Sequence, residues 1–147
     1  MDDPDPYVLN RFIEAQEHIY CDVLEELKSG EKRTHWMWFI FPQIDGLGSS
    51  PTSQYYSIKS VDEARQYLDH LVLGDRLVEC VDAVLAIEGR SVSEIFGYPD
   101  DLKLQSSMTL FANVAEQPVK FIRVLEEYFG GEQDRKTIQI LEKLKEI

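Results

Sequence analysis

The side chains most able to do chemistry in this sequence lie in two short stretches, and the first runs from His35 to Gln43. Between these polar ends stand two tryptophans, two phenylalanines and a methionine. An indole ring can stack on a base or a sugar, and a histidine can transfer a proton near neutral pH. We therefore take His35 as a candidate catalytic residue and Trp36, Trp38 and Gln43 as candidate ligand-binding residues. The alternative interpretation is that the histidine and the aromatic residues belong to the core.

The second stretch begins at Asp100 and is predicted to form a helix. Helical spacing brings Lys103, Ser106 and Ser107 to one face, with Asp100 one turn earlier. A lysine near a helix N-terminus can bind a phosphate, and Asp100 or Asp101 can act as an acid or base or hold a ribose hydroxyl. A Ser–Lys pair would instead supply the nucleophile of a serine hydrolase, which we rank last. A structural role, in which an aspartate caps the helix and Lys103 pairs with a carboxylate, is equally open.

Two further groups of polar residues are candidates for ligand binding. The loop over residues 44–57 is rich in glycine, serine and threonine, and its amides and hydroxyls could hold a phosphate. Gly46, Gly48 and Ser49 are therefore candidates, although the loop contains no P-loop or dinucleotide fingerprint and a plain surface loop is the alternative. Gln16 lies on the apolar stripe of the first predicted helix. Its buried amide needs partners, either a neighbouring backbone or a ligand.

Helices must position these stretches, because apolar residues recur at three- and four-residue steps through most of the chain. No alternating pattern is long enough to predict a strand. We expect an all-α protein with a single compact domain over residues 1–147, six or seven helices and a leader at residues 1–6. The aromatic run is predicted to be a buried central helix that starts at Arg33 or Thr34 and ends at Pro42.

Composition limits the classes of function. The formal net charge of −12 argues against a surface that coats DNA or RNA, although it permits one small anion-binding pocket. No apolar run approaches the ~20 residues of a membrane span, and the acidic start differs from a signal peptide. We therefore expect a cytoplasmic protein that does not contact membranes. Cys21 and Cys80 lack partners at metal-ligand spacing, so we predict no disulfide, metal site or cofactor.

Several long motifs resemble those of a known family. They are RxHWMWFIFPQ at residues 33–43, GLG at residues 46–48, and EIFGxPDDxKLxSSMTLF at residues 94–111. Together with the segments at residues 11–16 and 128–131, they are similar to the bacterial family of unknown function numbered 1810 (DUF1810). The resemblance covers nearly the whole chain. It implies a small α-helical fold and assigns no reaction.

A shorter likeness suggests a chemistry. His35, Trp36 and Met37 are similar to the Glu-His-Trp/Tyr-Met signature of the NADAR-type N-glycosidases, with Thr34 in place of the glutamate. Those small, mostly helical proteins are linked to ADP-ribose and riboflavin-precursor metabolism. The likeness implies a ligand that is a phosphorylated ribose compound or nucleotide.

Three functional hypotheses are compatible with these residues, and the sequence leaves the oligomeric state open. In the first, the protein binds a phosphorylated ribose compound or cleaves the N-glycosidic bond of an ADP-ribosyl substrate, where a carboxylate stabilises oxocarbenium-like charge. In the second, it is a non-enzymatic interaction module whose acidic surface meets a basic partner. The serine hydrolase is the third.

Overall fold

The computed structural model describes residues 4–145, and this part of the chain is built from helices without a β-strand. An isolated parallel bridge joins Ile44 and Ile58. The ten helices of the described residues are α1 (Asn10–Gln16), α2 (Tyr20–Ser29), α3 (Met37–Ile40), α4 (Pro51–Tyr56), α5 (Val61–Asp69), α6 (Leu71–Leu85), α7 (Val92–Phe96), α8 (Asp100–Val114), α9 (Val119–Phe129) and α10 (Arg135–Lys145).

The all-α prediction is confirmed, but the described residues form ten helices rather than six or seven. One reason is that the periodicity of the first predicted helix belongs to two helices, which are separated by a turn after Gln16. A second reason is α4, which lies inside the predicted loop. Its signals were present in the sequence: Ser50 accepts a hydrogen bond from the Ser53 backbone at 3.1 Å, and Pro51 occupies the first helical position.

The predicted leader at residues 1–6 can be compared with the structure in part. Half of the predicted leader cannot be compared, because residues 1–3 lie outside the described part of the chain. Within the described part, the Asp5 carboxylate accepts hydrogen bonds from the backbone N–H groups of Leu9 at 2.7 Å and Asn10 at 3.0 Å, at the start of α1.

Between residues 4 and 145, none of the helices has the length and apolar character needed to cross a membrane.

The helix predicted over the aromatic run is wrong in its extent, since α3 covers only Met37–Ile40. The backbone before α3 is hydrogen-bonded by a side chain of another helix. The Glu26 carboxylate of α2 accepts the N–H groups of Arg33 at 2.6 Å and Thr34 at 2.9 Å. These contacts hold the connection between α2 and α3 in a non-helical conformation, so the helix begins later than the apolar pattern indicates.

The central helix of the fold is α8 rather than α3. It packs against α3, α5, α7, α9 and α10, and every residue from Ser106 to Phe111 is buried. The Ser106 and Thr109 hydroxyls donate to the carbonyl oxygens of Leu102 at 3.1 Å and Gln105 at 2.8 Å. Hydroxyls that bond to the preceding turn can be buried without losing a hydrogen bond. This bonding accounts for the burial of two of the three hydroxyls in this stretch, although the sequence of α8 looks polar on one face.

The close approach of α5 and α6 leads to a test of the packing. A Cβ atom at Gly74 would lie 2.1 Å from the carbonyl oxygen of Leu68, and a backbone group cannot move aside as a side-chain tip can. We expect Gly74→Ala to lower the free energy of unfolding by about 1–3 kcal/mol, the usual cost of overpacking. Urea denaturation measures this change. Asp75→Ala at the exposed next position is the control and should stay within about 0.5 kcal/mol of wild type; equal stabilities of the two variants would contradict the prediction.

Candidate functional site

Two lysines and one aspartate meet at the start of α8. The Asp100 carboxylate binds Lys103 through Oδ1 at 3.1 Å and Lys32 through Oδ2 at 2.8 Å. The Lys32 side chain is only 5% exposed, and the other two are about one-fifth exposed, at 20% and 21%. Two cations on one carboxylate leave a local charge of about +1 by simple addition in a chain whose net charge is −12. We call these three residues the Lys32–Asp100–Lys103 cluster.

The protonation state of Asp100 decides what the cluster can do. Partial burial of the carboxyl raises its pKa, but the hydrogen bonds and charges of Lys32 and Lys103 outweigh burial and hold the pKa below its ordinary value. The carboxylate is therefore ionised at neutral pH. It can stabilise positive charge or accept a hydrogen bond, but it has no proton to donate as a general acid.

Each lysine of the cluster also lies against a tryptophan. The Lys103 ammonium lies 3.9 Å from the centre of the Trp38 ring, and the Lys32 ammonium lies 5.1 Å from the centre of the Trp36 ring. Both distances suit cation–π attraction. The two rings differ in exposure: Trp36 is buried and donates through Nε1 to Glu26 at 3.0 Å, whereas Trp38 is half-buried. Of the two predicted stacking residues, Trp38 is the one that a ligand can reach.

Glu26 holds the connection that carries Lys32. Its Oε1 accepts from the backbones of Arg33 and Thr34 and from the Trp36 indole, and its Oε2 accepts from the Thr34 hydroxyl at 2.6 Å. Burial alone would raise the pKa of this carboxyl, but the hydrogen bonds from Thr34, Arg33 and Trp36 lower it to about 2. A charged group with this many donors can remain buried.

Glu26 and Lys32 are not among the site residues predicted from the sequence. For Glu26 a signal existed, because it lies three residues after Val23 and beside Leu27 on the buried face of α2. An acid on an apolar stripe must find donors. For Lys32 we find no comparable signal, since its carboxylate and aromatic neighbours come from other parts of the chain.

Part of the predicted loop site lies against Trp38. Trp38, Gln43, Gly46 and Gly48 line a cavity of about 10 Å³, which has room for about one water molecule. A Cβ atom at Gly48 would lie 2.6 Å from the Ser53 hydroxyl oxygen, so glycine permits the loop to close against α4. The structure therefore brings four candidates together, but around a cavity too small for a nucleotide. A fifth candidate, Ser49, is exposed.

Gln16 has protein partners for its whole amide. Its Nε2 donates to the Phe39 carbonyl oxygen at 2.7 Å and to the Tyr67 hydroxyl at 3.3 Å, and its Oε1 accepts from Arg76 at 3.2 Å. The side chain is buried. This is the backbone-bonded alternative of the sequence analysis, and it explains the buried glutamine without a ligand.

The remaining candidates make separate contacts. Asp101 accepts from the Leu102 backbone at 2.9 Å and from the Ser93 hydroxyl at 3.1 Å, which ties α7 to α8. Ser107 is fully buried, and its hydroxyl has no hydrogen-bond partner among the described residues. His35 is exposed. Ser106 and Lys103 do not pair with each other: the Ser106 hydroxyl donates to the backbone, and the Lys103 ammonium donates to Asp100.

The buried charge of Glu26 has a pH-dependent consequence. The pKa of Glu26 is lower in the folded protein than in the unfolded chain. Its contribution to the free energy of unfolding is therefore present above the unfolded pKa of about 4.3 and is lost as the pH falls toward 2. We expect Glu26→Gln to lower the free energy of unfolding at pH 7 by about 2 kcal/mol, the order of a hydrogen bond to a charged group. Urea denaturation at several pH values measures it.

The matched control is Glu25→Gln, at the exposed neighbouring position. The difference between wild type and Glu26→Gln should shrink as the pH falls below about 4.3, while Glu25→Gln should match wild type throughout. A difference that stays constant with pH would contradict an ionised Glu26.

Comparisons with known proteins agree with this helical architecture. No curated protein matches the chain. The crystal structure of a conserved hypothetical protein from Mycobacterium tuberculosis is similar, with a TM-score of 0.93 and 53% sequence identity over 94% of this chain and 99% of that chain. The family described as "Protein of unknown function (DUF1810)" matches residues 6–141. The chain belongs to the DUF1810 family.

Proposed function

We propose that the protein binds a small phosphorylated ribose compound at the Lys32–Asp100–Lys103 cluster, in a cytoplasmic setting. One observation carries the proposal: two ammonium groups from different elements converge on the two oxygens of one carboxylate. Ammonium groups in this arrangement can also bridge two oxygens of a phosphoryl group, because charge-assisted hydrogen bonds are short and strong. Acidic residues prevail in the rest of the sequence, which favours a confined anion site over a broad nucleic-acid surface.

Trp38 supplies the second part of the ligand site. Its ring is half-buried and lies directly beside the Lys103 ammonium. A ribose or base attached to the bound phosphate would reach the exposed part of this ring, where stacking is favourable. Gln43, Gly46 and Gly48 lie along the same tryptophan and could orient the sugar if the small cavity there opens.

Cleavage of an N-glycosidic bond is the reaction that we propose for this site. Such a reaction develops oxocarbenium-like positive charge, and an ionised carboxylate close to the sugar stabilises it. Asp100 fits this role better than Asp101, because Asp101 is engaged by Ser93 and the backbone of α8. His35, which is exposed in the same connection as Lys32, is the candidate for proton transfer.

A non-enzymatic interaction module is the second candidate function. The observation that favours it is an exposed apolar pair close in sequence to Asp100, Tyr98 at 82% and Leu102 at 48% exposure. Exposed apolar groups rimmed by charged residues often mark protein interfaces. In this alternative, Lys103 and Asp100 would form the polar rim of the interface instead of binding a ligand.

The test compares ligand binding by wild type, Lys103→Ala and Lys120→Ala. Lys120 is a matched control, since it is a surface lysine of α9 that pairs with Asp82 of α6 at 3.0 Å rather than with the cluster. Tryptophan fluorescence and thermal shift would be monitored against ADP-ribose, NAD and ribose 5-phosphate. We expect saturable binding by wild type and Lys120→Ala, and a loss of about tenfold or more in affinity for Lys103→Ala, since a charged hydrogen bond contributes about 1.5–3 kcal/mol.

Two other outcomes would contradict parts of the proposal. No response of wild type to any of the three ligands at millimolar concentration would reject the phosphate site and favour the interaction module. Binding of NAD without release of nicotinamide and ADP-ribose would leave the binding site in place and argue against hydrolysis of that substrate.

A further inference from the structure

The contacts of the two lysines of the cluster indicate which class of anion the cluster binds. This inference rests on the proposed function. Each lysine is held by groups other than Asp100. Lys32 donates to the Thr34 carbonyl oxygen at 2.5 Å and lies against Trp36, and Lys103 lies against Trp38. Removal of the carboxylate would therefore leave the two ammonium groups near their present positions, as a preorganised pair.

The ion pairs of the Asp100 carboxylate, within the described part of the chain, are both with the lysines of the cluster, Lys32 and Lys103. Asp100 occupies the first turn of α8, where a side-chain rotation leaves the helix intact. The Asp100 side chain is itself 20% exposed, so solvent already reaches it.

No other carboxylate within the described residues forms an ion pair with either lysine. Glu26 is engaged by the backbone and side-chain donors of residues 33–36. Asp101 accepts hydrogen bonds from Leu102 and Ser93. Asp100 is thus the group whose position an incoming anion would have to take.

We propose that the Asp100 carboxylate stands in for the ligand's anionic group, and that a dianionic phosphoryl group displaces it from Lys32 and Lys103. A carboxylate carries one negative charge, whereas a phosphate monoester carries about −1.5 to −2 at pH 7. Only an anion of higher charge gains enough from two ammonium groups to compete with a tethered carboxylate. The preferred ligand class is therefore a terminal phosphate monoester, such as ribose 5-phosphate. ADP-ribose and NAD, in which each phosphate is a diester with one negative charge, should bind more weakly, and monoanions such as acetate are excluded by Asp100 itself.

Displacement would also place Asp100 for the proposed reaction. Once released from the lysines, the carboxylate remains one turn from Lys103 on the same helix. An ionised carboxylate would thus stay within one helical turn of a phosphate-binding lysine. Ligand binding and the exposure of the ionised carboxylate are in this way a single event.

The experiment measures binding of inorganic phosphate, ribose 5-phosphate and acetate by calorimetry in wild type, Asp100→Asn and Glu94→Gln. Glu94→Gln removes one negative charge from α7, next to Ile95, whose carbonyl oxygen accepts from the Lys32 backbone at 2.7 Å. It therefore controls for a general electrostatic effect. We expect Asp100→Asn to bind phosphate about tenfold more tightly or better, because the competing state is removed, and to begin to bind acetate. Glu94→Gln should change the affinity by less than about threefold.

The outcomes separate this inference from the proposed function. Phosphate binding by wild type that is unchanged or weakened in Asp100→Asn would overturn displacement while the phosphate site stands. Phosphate binding by neither protein would overturn both. If Asp100→Asn is poorly folded, Asp100→Ser repeats the test. It removes the carboxylate and leaves a small polar side chain in the first turn of the helix. The double variant Asp100→Asn with Lys32→Met should lose the affinity for phosphate that Asp100→Asn gains. This loss would assign the anion to the two lysines.

Discussion

The carboxylate of Glu26 stays charged inside the protein, and the candidate site is built on the hydrogen bonds that make this possible. One side chain of α2 satisfies two backbone N–H groups, a hydroxyl and an indole, all from residues 33–36. A charge can stay buried only where it is matched by donors in this way. The hydrogen bonds of Glu26 fix the path of the chain between α2 and α3. It places Trp36 in the core, and it carries Lys32 on one side and Trp38 on the other toward the N-terminus of α8.

The cluster at that N-terminus is an electrostatic compromise. A carboxylate in the first turn of a helix is favoured by the helix dipole, and Asp100 gains further from two ammonium groups. Three kinds of contact offset the cost of burying Lys32: a carbonyl oxygen, a carboxylate and an aromatic ring. The three side chains of the cluster sum to a charge of about +1 in a chain whose net charge is −12, and they lie next to a half-buried aromatic ring.

Residue types and spacing indicate contacts where the partners are close in sequence. Asp100 and Lys103 are one helical turn apart, and the structure has the ion pair that the structural alternative for this helix describes. Residue types and spacing do not indicate which side chains are buried. Trp36 and Trp38 look equivalent in sequence, but one is sealed in the core and the other is half-buried. Gln16 illustrates the same limit, since three protein groups from α3, α5 and α6 satisfy its amide.

Local signals in the chain are sufficient for the helical class and the family, because caps, stops and apolar periodicity act within a few residues of one another. Three features needed the folded protein: α8 is the central helix, α3 is a single short turn, and Lys32 meets Asp100. These features arise from groups that are distant in the chain. Their energies depend on burial and on the direction of each side chain, and no local pattern encodes either.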